Sequence, residues 1–184
     1  IDIAGTLCAP LVHIAGDADQ DTIRISRAPS LGITLVEGQD AGDNIQISAV
    51  NSHWSPIVVF GDYADATVDA FGALRSVAST QSGVGGTDTI TTTGAGFVVA
   101  LGGAGNDLVT AGDGANFMIG DEGRVVLDAS GRVTEITTTA FLAADDPSPQ
   151  SDRISGGAGA DVILGGNHDD LIQGGGGDDL ILGD

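Results

Sequence analysis

Asp161, Asp170 and Asp179 recur every nine residues near the end of this 184-residue chain. Each is the sixth residue of one nonapeptide: Gly156–Leu164 (GGAGADVIL), Gly165–Gln173 (GGNHDDLIQ) and Gly174–Leu182 (GGGGDDLIL), after which Gly183-Asp184 opens another copy. Each carboxylate supplies a hard anionic oxygen. Glycines with positive φ turn the chain tightly and point carbonyls inward. Oxygen-only ligation by carboxylates and carbonyls is the chemistry of a hard cation such as Ca²⁺. A flexible Gly-rich linker has no reason to hold an aspartate and a large aliphatic in fixed register.

The elements that position these oxygens follow from the short period. The last three residues of each copy make a very short strand whose aliphatic, Ile163, Ile172 or Ile181, faces inside. Two nonapeptides complete one coil, and successive coils stack as parallel strands. These residues resemble the calcium-binding repeats of the RTX (repeats-in-toxin) family. The resemblance implies an all-β parallel β-roll, or β-solenoid, with Ca²⁺ between turn n and turn n+2 on the same side. No helix is expected, because apolar spacing of three and four is absent.

The earlier copies are less regular. Gly102–Thr110 is a full match, but the copy before it has Val98, and the copy after it Asn116, where aspartate belongs. The resemblance then implies that Asp88 shares an ion with Asp107, Asp152 with Asp170, and Asp161 with Asp179. The side carrying Val98 and Asn116 is expected to bind weakly or not at all. About three good Ca²⁺ sites result. The resemblance gives their carbonyl ligands as Gly157 and Gly159 facing Gly174 and Gly176, Gly165 and Asn167 opposite Asp152, and Gly102 and Ala104 opposite Asp88. Gly103 and Gly105, with Gly166 and His168, serve further ions beside Gly120 and Gly183. His168 is read as a backbone ligand, not an imidazole one.

Composition agrees. Aspartate outnumbers glutamate 23 to 3, the mark of acids placed in turns, and there is no lysine. A net charge of −20 excludes nucleic acid and anionic membrane as partners and favours divalent metal. Without metal, such a charge opposes compaction. Cys8 stands alone, so no internal disulfide forms. Phe97–Leu101 is far too short to span a membrane, and there is neither an N-terminal signal nor an initiator Met.

Residues 1–60 read as strands broken by turns. Gly16–Ile25 and Gly38–Ile47 lie 22 residues apart, and each places acids in a turn before an alternating strand. Two readings stand: degenerate calcium turns using Asp17, Asp19, Asp21, Asp40 and Asp43, or acids that serve the turn alone. An EF-hand is rejected for want of its later Gly and its Glu. His13 and His53 have no partners at metal spacing and read as ordinary strand or surface residues. Trp54 is expected to cover one end of the core or to touch a neighbouring copy.

Residues 61–77 and 120–136 align at a constant offset of 59, each reading as a β-hairpin. A polar loop and a D-x-I strand follow each one. Ala140–Gln150 is an irregular insertion whose Asp145 and Asp146 are solvated. The divisions are therefore 1–60, a β-rich segment; 61–119, a first hairpin plus roll; and 120–184, a second hairpin plus roll. Together they form one continuous solenoid within a longer array.

Catalysis is not expected, since the repeat accounts for most carboxylates and no nucleophile motif appears. The resemblance implies a calcium-binding structural module of a secreted bacterial protein, exported unfolded by type I secretion and folded by Ca²⁺ outside. There it serves as stalk, surface layer or filament, with neighbouring copies end to end. Alternatives are the calcium-binding secretion domain of a toxin, protease or lipase, and a carbohydrate- or ice-binding adhesin module.

Overall fold

The computed structural model describes residues 1–4, 8–27, 31–48, 56–80, 85–139 and 151–183. The expectations placed on His53, Trp54, Ala140–Gln150 and Asp184 lie outside these residues. Every regular element among the described residues is a strand.

The strands alternate between two parallel seven-stranded sheets, one strand of each per coil. The coils are β1 (Asp2–Ile3) with β2 (Cys8–Ala15), β3 (Thr22–Ile25) with β4 (Leu31–Glu37), and β5 (Asn44–Ile47) with β6 (Ile57–Phe60). The hairpin β7 (Ala64–Val68) and β8 (Leu74–Ser79) follows. The roll resumes with β9 (Thr89–Thr92) and β10 (Val98–Leu101), then β11 (Leu108–Thr110) and β12 (Phe117–Ile119). A second hairpin, β13 (Gly123–Leu127) and β14 (Val133–Thr138), precedes β15 (Arg153–Ser155) with β16 (Val162–Leu164) and β17 (Leu171–Gln173) with β18 (Leu180–Leu182). The first sheet runs β1-β3-β5-β9-β11-β15-β17 and the second β2-β4-β6-β10-β12-β16-β18.

Register carries the core from coil to coil. Ile23, Ile45, Ile90, Val109, Ile154 and Ile172 stack in one column of the first sheet. Ile14, Val36, Val59, Ala100, Met118 and Ile163 stack in the second. The two columns pack into one cluster, buried except for Ile172. Each fully buried aliphatic of this size contributes about 1.5–3 kcal/mol, so a narrow coil is held by the one or two inward residues of each strand, as with Ile23 and Ile25 or Ile45 and Ile47.

The outer faces differ, and sequence explains why. First-sheet strands alternate, as in Thr22-Ile23-Arg24-Ile25 and Asn44-Ile45-Gln46-Ile47, and show polar side chains to water. Second-sheet strands such as Ile57–Phe60 and Val98–Leu101 are apolar throughout and buried on both faces. What covers them is a third layer. The two hairpins, 59 residues apart in sequence, join edge to edge as a four-stranded antiparallel sheet, β14-β13-β8-β7. Leu74, Val77, Val125 and Leu127 of that sheet pack on Leu35, Val58, Phe60, Val99, Leu101 and Ile119. Both hairpins close with the same chemistry. Asp69 Oδ1 accepts from Phe71 N and Ala73 N, and Asp128 Oδ1 accepts from Ser130 N and Arg132 N. Gly72 and Gly131 then take φ near +80° and +81°.

The cover stops at β14. Beyond it, Leu180, Ile181 and Leu182 of β18 are exposed, as is Leu171 of β17.

Candidate metal centre

The turns leading into the first sheet have six residues, opening on Gly and closing on Asp. Two are interrupted by a hairpin after the second residue. The Gly-Asp pairs of the offset, Gly61-Asp62 and Gly120-Asp121, are the points where these hairpins leave the roll. Asp88 and Asp152 close the same turns on the far side of the hairpins.

Along this edge the closing aspartates form a ladder. The main-chain N–H of each donates to Oδ1 of the next: Asp21 to Asp43 at 2.6 Å, Asp43 to Asp88 at 2.6 Å, Asp88 to Asp107 at 2.8 Å, Asp107 to Asp152 at 2.7 Å, and Asp152 to Asp170 at 2.9 Å. The opposite edge carries a shorter ladder, Asn116 to Asp161 at 2.7 Å and Asp161 to Asp179 at 3.0 Å. The structure thus brings together Asp88 with Asp107, Asp152 with Asp170, and Asp161 with Asp179. It also joins Asp107 to Asp152 across 45 residues, a pairing hidden from sequence by the hairpin and its loop.

The second carboxylate oxygen behaves differently. Oδ2 of Asp43, Asp88, Asp107, Asp152 and Asp161 is buried with no hydrogen-bond partner. Each shares the space beside a first-position glycine with a carbonyl oxygen of the next coil. A Cβ placed on Gly61 would overlap both Asp88 Oδ2 and the Gly102 carbonyl, and one on Gly120 both Asp152 Oδ2 and the Gly165 carbonyl. Gly102 stands likewise beside Asp107 Oδ2 and the Gly120 carbonyl, and Gly156 beside Asp161 Oδ2 and the Gly174 carbonyl. Some of these carbonyls accept a main-chain N–H, as that of Gly61 does from Gln39 and that of Gly120 from Gly103, but the buried Oδ2 atoms have no donor, which is unfavourable unless a cation meets them.

Asn116 reveals the rest of the donor set. At the position where other turns have aspartate, its Nδ2 donates to the carbonyls of Gly112 (3.1 Å), Gly114 (2.6 Å) and Gly156 (3.2 Å), and to Asp161 Oδ1 (3.1 Å). The carbonyls of the second and fourth residues of a turn therefore converge with that of the first residue of the next coil. By this correspondence Gly157 and Gly159, Gly103 and Gly105, and Gly166 and His168 are second- and fourth-position residues. Gly102, Gly165 and Gly174 are first-position residues. Gly103 and Gly105 reach their places with φ of 110° and 144°, and His168 does so at 74°. The third-position residues Ala104, Asn167 and Gly176 engage through their amides, to Asp62 Oδ2, Asp121 Oδ2 and the Gly157 carbonyl.

Asp62 and Asp121 are buried carboxylates of this edge that sequence reasoning passed over. Each keeps Oδ1 without a partner, and holds a hairpin root against the next coil. Their shared place after Gly61 and Gly120 was the available signal. His13 pairs with Glu37, whose Oε2 accepts from Ala64 N at 2.8 Å, so this pair anchors the first hairpin.

Electrostatics follows burial. Desolvation pushes Asp62 and Asp88 up to about 8, Asp152 to about 7, and Asp43 and Asp121 to about 6. It raises Asp107 well above the usual carboxylate range, and neighbouring carboxylates add to each shift. Among the described residues no three His, Cys, Asp or Glu side chains converge. The oxygens on offer, one or two carboxylates beside main-chain carbonyls, suit a hard cation such as Ca²⁺, whereas zinc prefers N and S ligands.

Residues 99–127 and 148–181 match the RTX calcium-binding nonapeptide repeat, in four copies. No curated protein and no solved structure matches the chain. No helix among the described residues is long and apolar enough to cross a membrane.

Proposed function

We propose that this chain, which carries RTX calcium-binding nonapeptide repeats, is a structural module of a secreted bacterial protein that folds on meeting Ca²⁺ outside the cell. It serves there as a stalk, surface-layer or filament building block, with a structural and not a catalytic role. One observation carries the reading: buried, unpartnered Asp Oδ2 atoms stack coil after coil against main-chain carbonyls. Bound Ca²⁺ supplies the positive charge that lets these oxygens approach. The residues hold it with Asp88, Asp107, Asp152, Asp161, Asp170 and Asp179 and with first-, second- and fourth-position carbonyls. In the unfolded chain these groups are far apart, so binding free energy becomes folding free energy. An ion present at ten times its Kd contributes about 1.4 kcal/mol, and about three sites supply roughly 4 kcal/mol, comparable with the stability of a small domain.

End-to-end stacking of copies is the partner reading.

The test is a calcium titration of the EDTA-treated protein by far-UV circular dichroism, beside magnesium, with light scattering in the same tube. A cooperative gain of β signal with Ca²⁺, lost in Asp161→Ala plus Asp179→Ala, is expected, with scattering rising as folded chains stack. A metal-free protein already fully β and indifferent to Ca²⁺ would overturn calcium-coupled folding.

A further inference from the structure

The turn Gly38–Asp43 (GQDAGD) lies outside the matched residues and lacks the nonapeptide's paired glycines. We infer that it is nonetheless a Ca²⁺ site, formed with Gly61 of the next coil; the inference rests on the calcium reading above.

Three observations meet there. Asp43 is 2% exposed, and its Oδ2 has no partner. That oxygen faces the Gly61 carbonyl, since a Cβ on Gly38 would overlap both. This is the relation Asp107 Oδ2 has to the Gly120 carbonyl in a matched repeat. Next, Gln39 and Ala41 hold φ of 86° and 69° at the second and fourth positions, which Gly103 and Gly105 fill in one matched turn and Gly166 and His168 in another. For residues with a Cβ this conformation costs about 1–2 kcal/mol each. The strained turn therefore holds Gln39 and Ala41 in the left-handed region at the positions that Gly103 and Gly105 occupy in a matched turn. Finally, Asp40 Oδ1 is a further buried oxygen of the turn without a partner.

The preceding turn is built differently and makes the contrast. Asp21 Oδ2 stands beside the Gly38 carbonyl as Asp43 Oδ2 stands beside that of Gly61, but it accepts from Asp17 N at 2.7 Å, so this oxygen is already satisfied. The ladder of N–H to Oδ1 bonds spans both turns, but an oxygen set that calls for a cation begins at Asp43. The sequence pattern misses it, because Gln39 and Ala41 both reach the left-handed conformation without glycine, where the uninterrupted matched turns keep glycine at the second position.

Asp43→Asn tests this. Asn116 shows that asparagine fits the position and satisfies the carbonyls itself, so the variant is expected to fold in Ca²⁺. Bound ions are counted by equilibrium dialysis against radioactive calcium. The expected result is one ion fewer than wild type, with an unchanged calcium-saturated circular dichroism spectrum. An equal count in wild type and variant overturns the site. A wild-type count of zero overturns the calcium reading itself and this site with it. Crystals of the wild-type chain soaked in terbium give a variant-free reading. An anomalous peak between Asp43 and Gly61 is expected. Peaks at the Asp107 and Asp161 turns without one here also overturn the site.

Discussion

The side-chain nitrogen of Asn116 donates to the Gly156 carbonyl oxygen 3.2 Å away, in the next coil of the roll. With its bonds to Gly112 and Gly114, this amide does within one turn what a cation does where aspartate stands. Asn116→Asp exchanges two N–H donors for a carboxylate oxygen aimed at the same carbonyls. The variant should bind one more Ca²⁺ than wild type, by ion count. At limiting Ca²⁺ it should be less stable by about 1–3 kcal/mol, the cost of leaving buried polar groups unsatisfied, with saturating Ca²⁺ restoring the loss. A variant with an unchanged count and unchanged stability at limiting Ca²⁺ would refute the substitution of amide for ion.

The pH dependence of the metal-free chain has a defined sign. Burial raises Asp62 and Asp88 to about 8 and Asp152 to about 7 in the folded state, against roughly 3.9 in the unfolded chain. A folded-state pKa above the unfolded one gives stability that is present in acid and lost as pH rises. In EDTA the far-UV β signal should therefore be larger at pH 4 than at pH 8, with a steady slope between them. Saturating Ca²⁺ favours the charged carboxylates and should flatten or reverse that slope. Equal slopes with and without Ca²⁺ would mean that these carboxylates do not meet the ion.

Gly175 and Gly176 are neighbours with opposite tolerances. A Cβ on Gly175 would run into the Gly157 carbonyl, and its φ is 103°, whereas the nearest atom to a Cβ on Gly176 is 3.7 Å away. Gly175→Ala is expected to lower stability by more than the roughly 1–2 kcal/mol of left-handed strain alone, with Gly176→Ala close to neutral. Thermal unfolding in saturating Ca²⁺ measures both, and similar losses would contradict the coil-to-coil contact.

Glu37 anchors the first hairpin through Ala64 N, 2.8 Å from Oε2. Glu37→Ala leaves that N–H without its acceptor and should cost about 1–3 kcal/mol. Glu37→Gln keeps an acceptor oxygen and should cost much less. Urea unfolding in Ca²⁺ distinguishes them, and equal losses would assign the effect to charge instead of the hydrogen bond.

What the sequence made legible was whatever repeated in strict register. Asp161, Asp170 and Asp179 at nine-residue spacing carry the roll and its inward aliphatics. The constant offset of 59 between Gly61–Val77 and Gly120–Ile136 carries both hairpins. Asp43 was harder to read, because Gln39 and Ala41 occupy the glycine positions and only the backbone shows that they turn like Gly103 and Gly105. The pairing of Asp107 with Asp152 was hidden by the intervening chain. The joining of β8 to β13 depends on two hairpins meeting in space, which no local pattern encodes.

The aspartate ladder has a direction. Each closing residue gives its N–H forward, and each first-position glycine is met by the carbonyl of the coil that follows. A site in coil n is thus finished only by coil n+1, as in a one-dimensional lattice with nearest-neighbour coupling. Order then has a preferred sense of travel. A coil set in place at the C-terminal side is a template for the one before it, while a coil set at the N-terminal side still lacks its own lid of oxygens. The end of the chain that is ordered first therefore decides whether the rest follows coil by coil or waits for the last residues to settle.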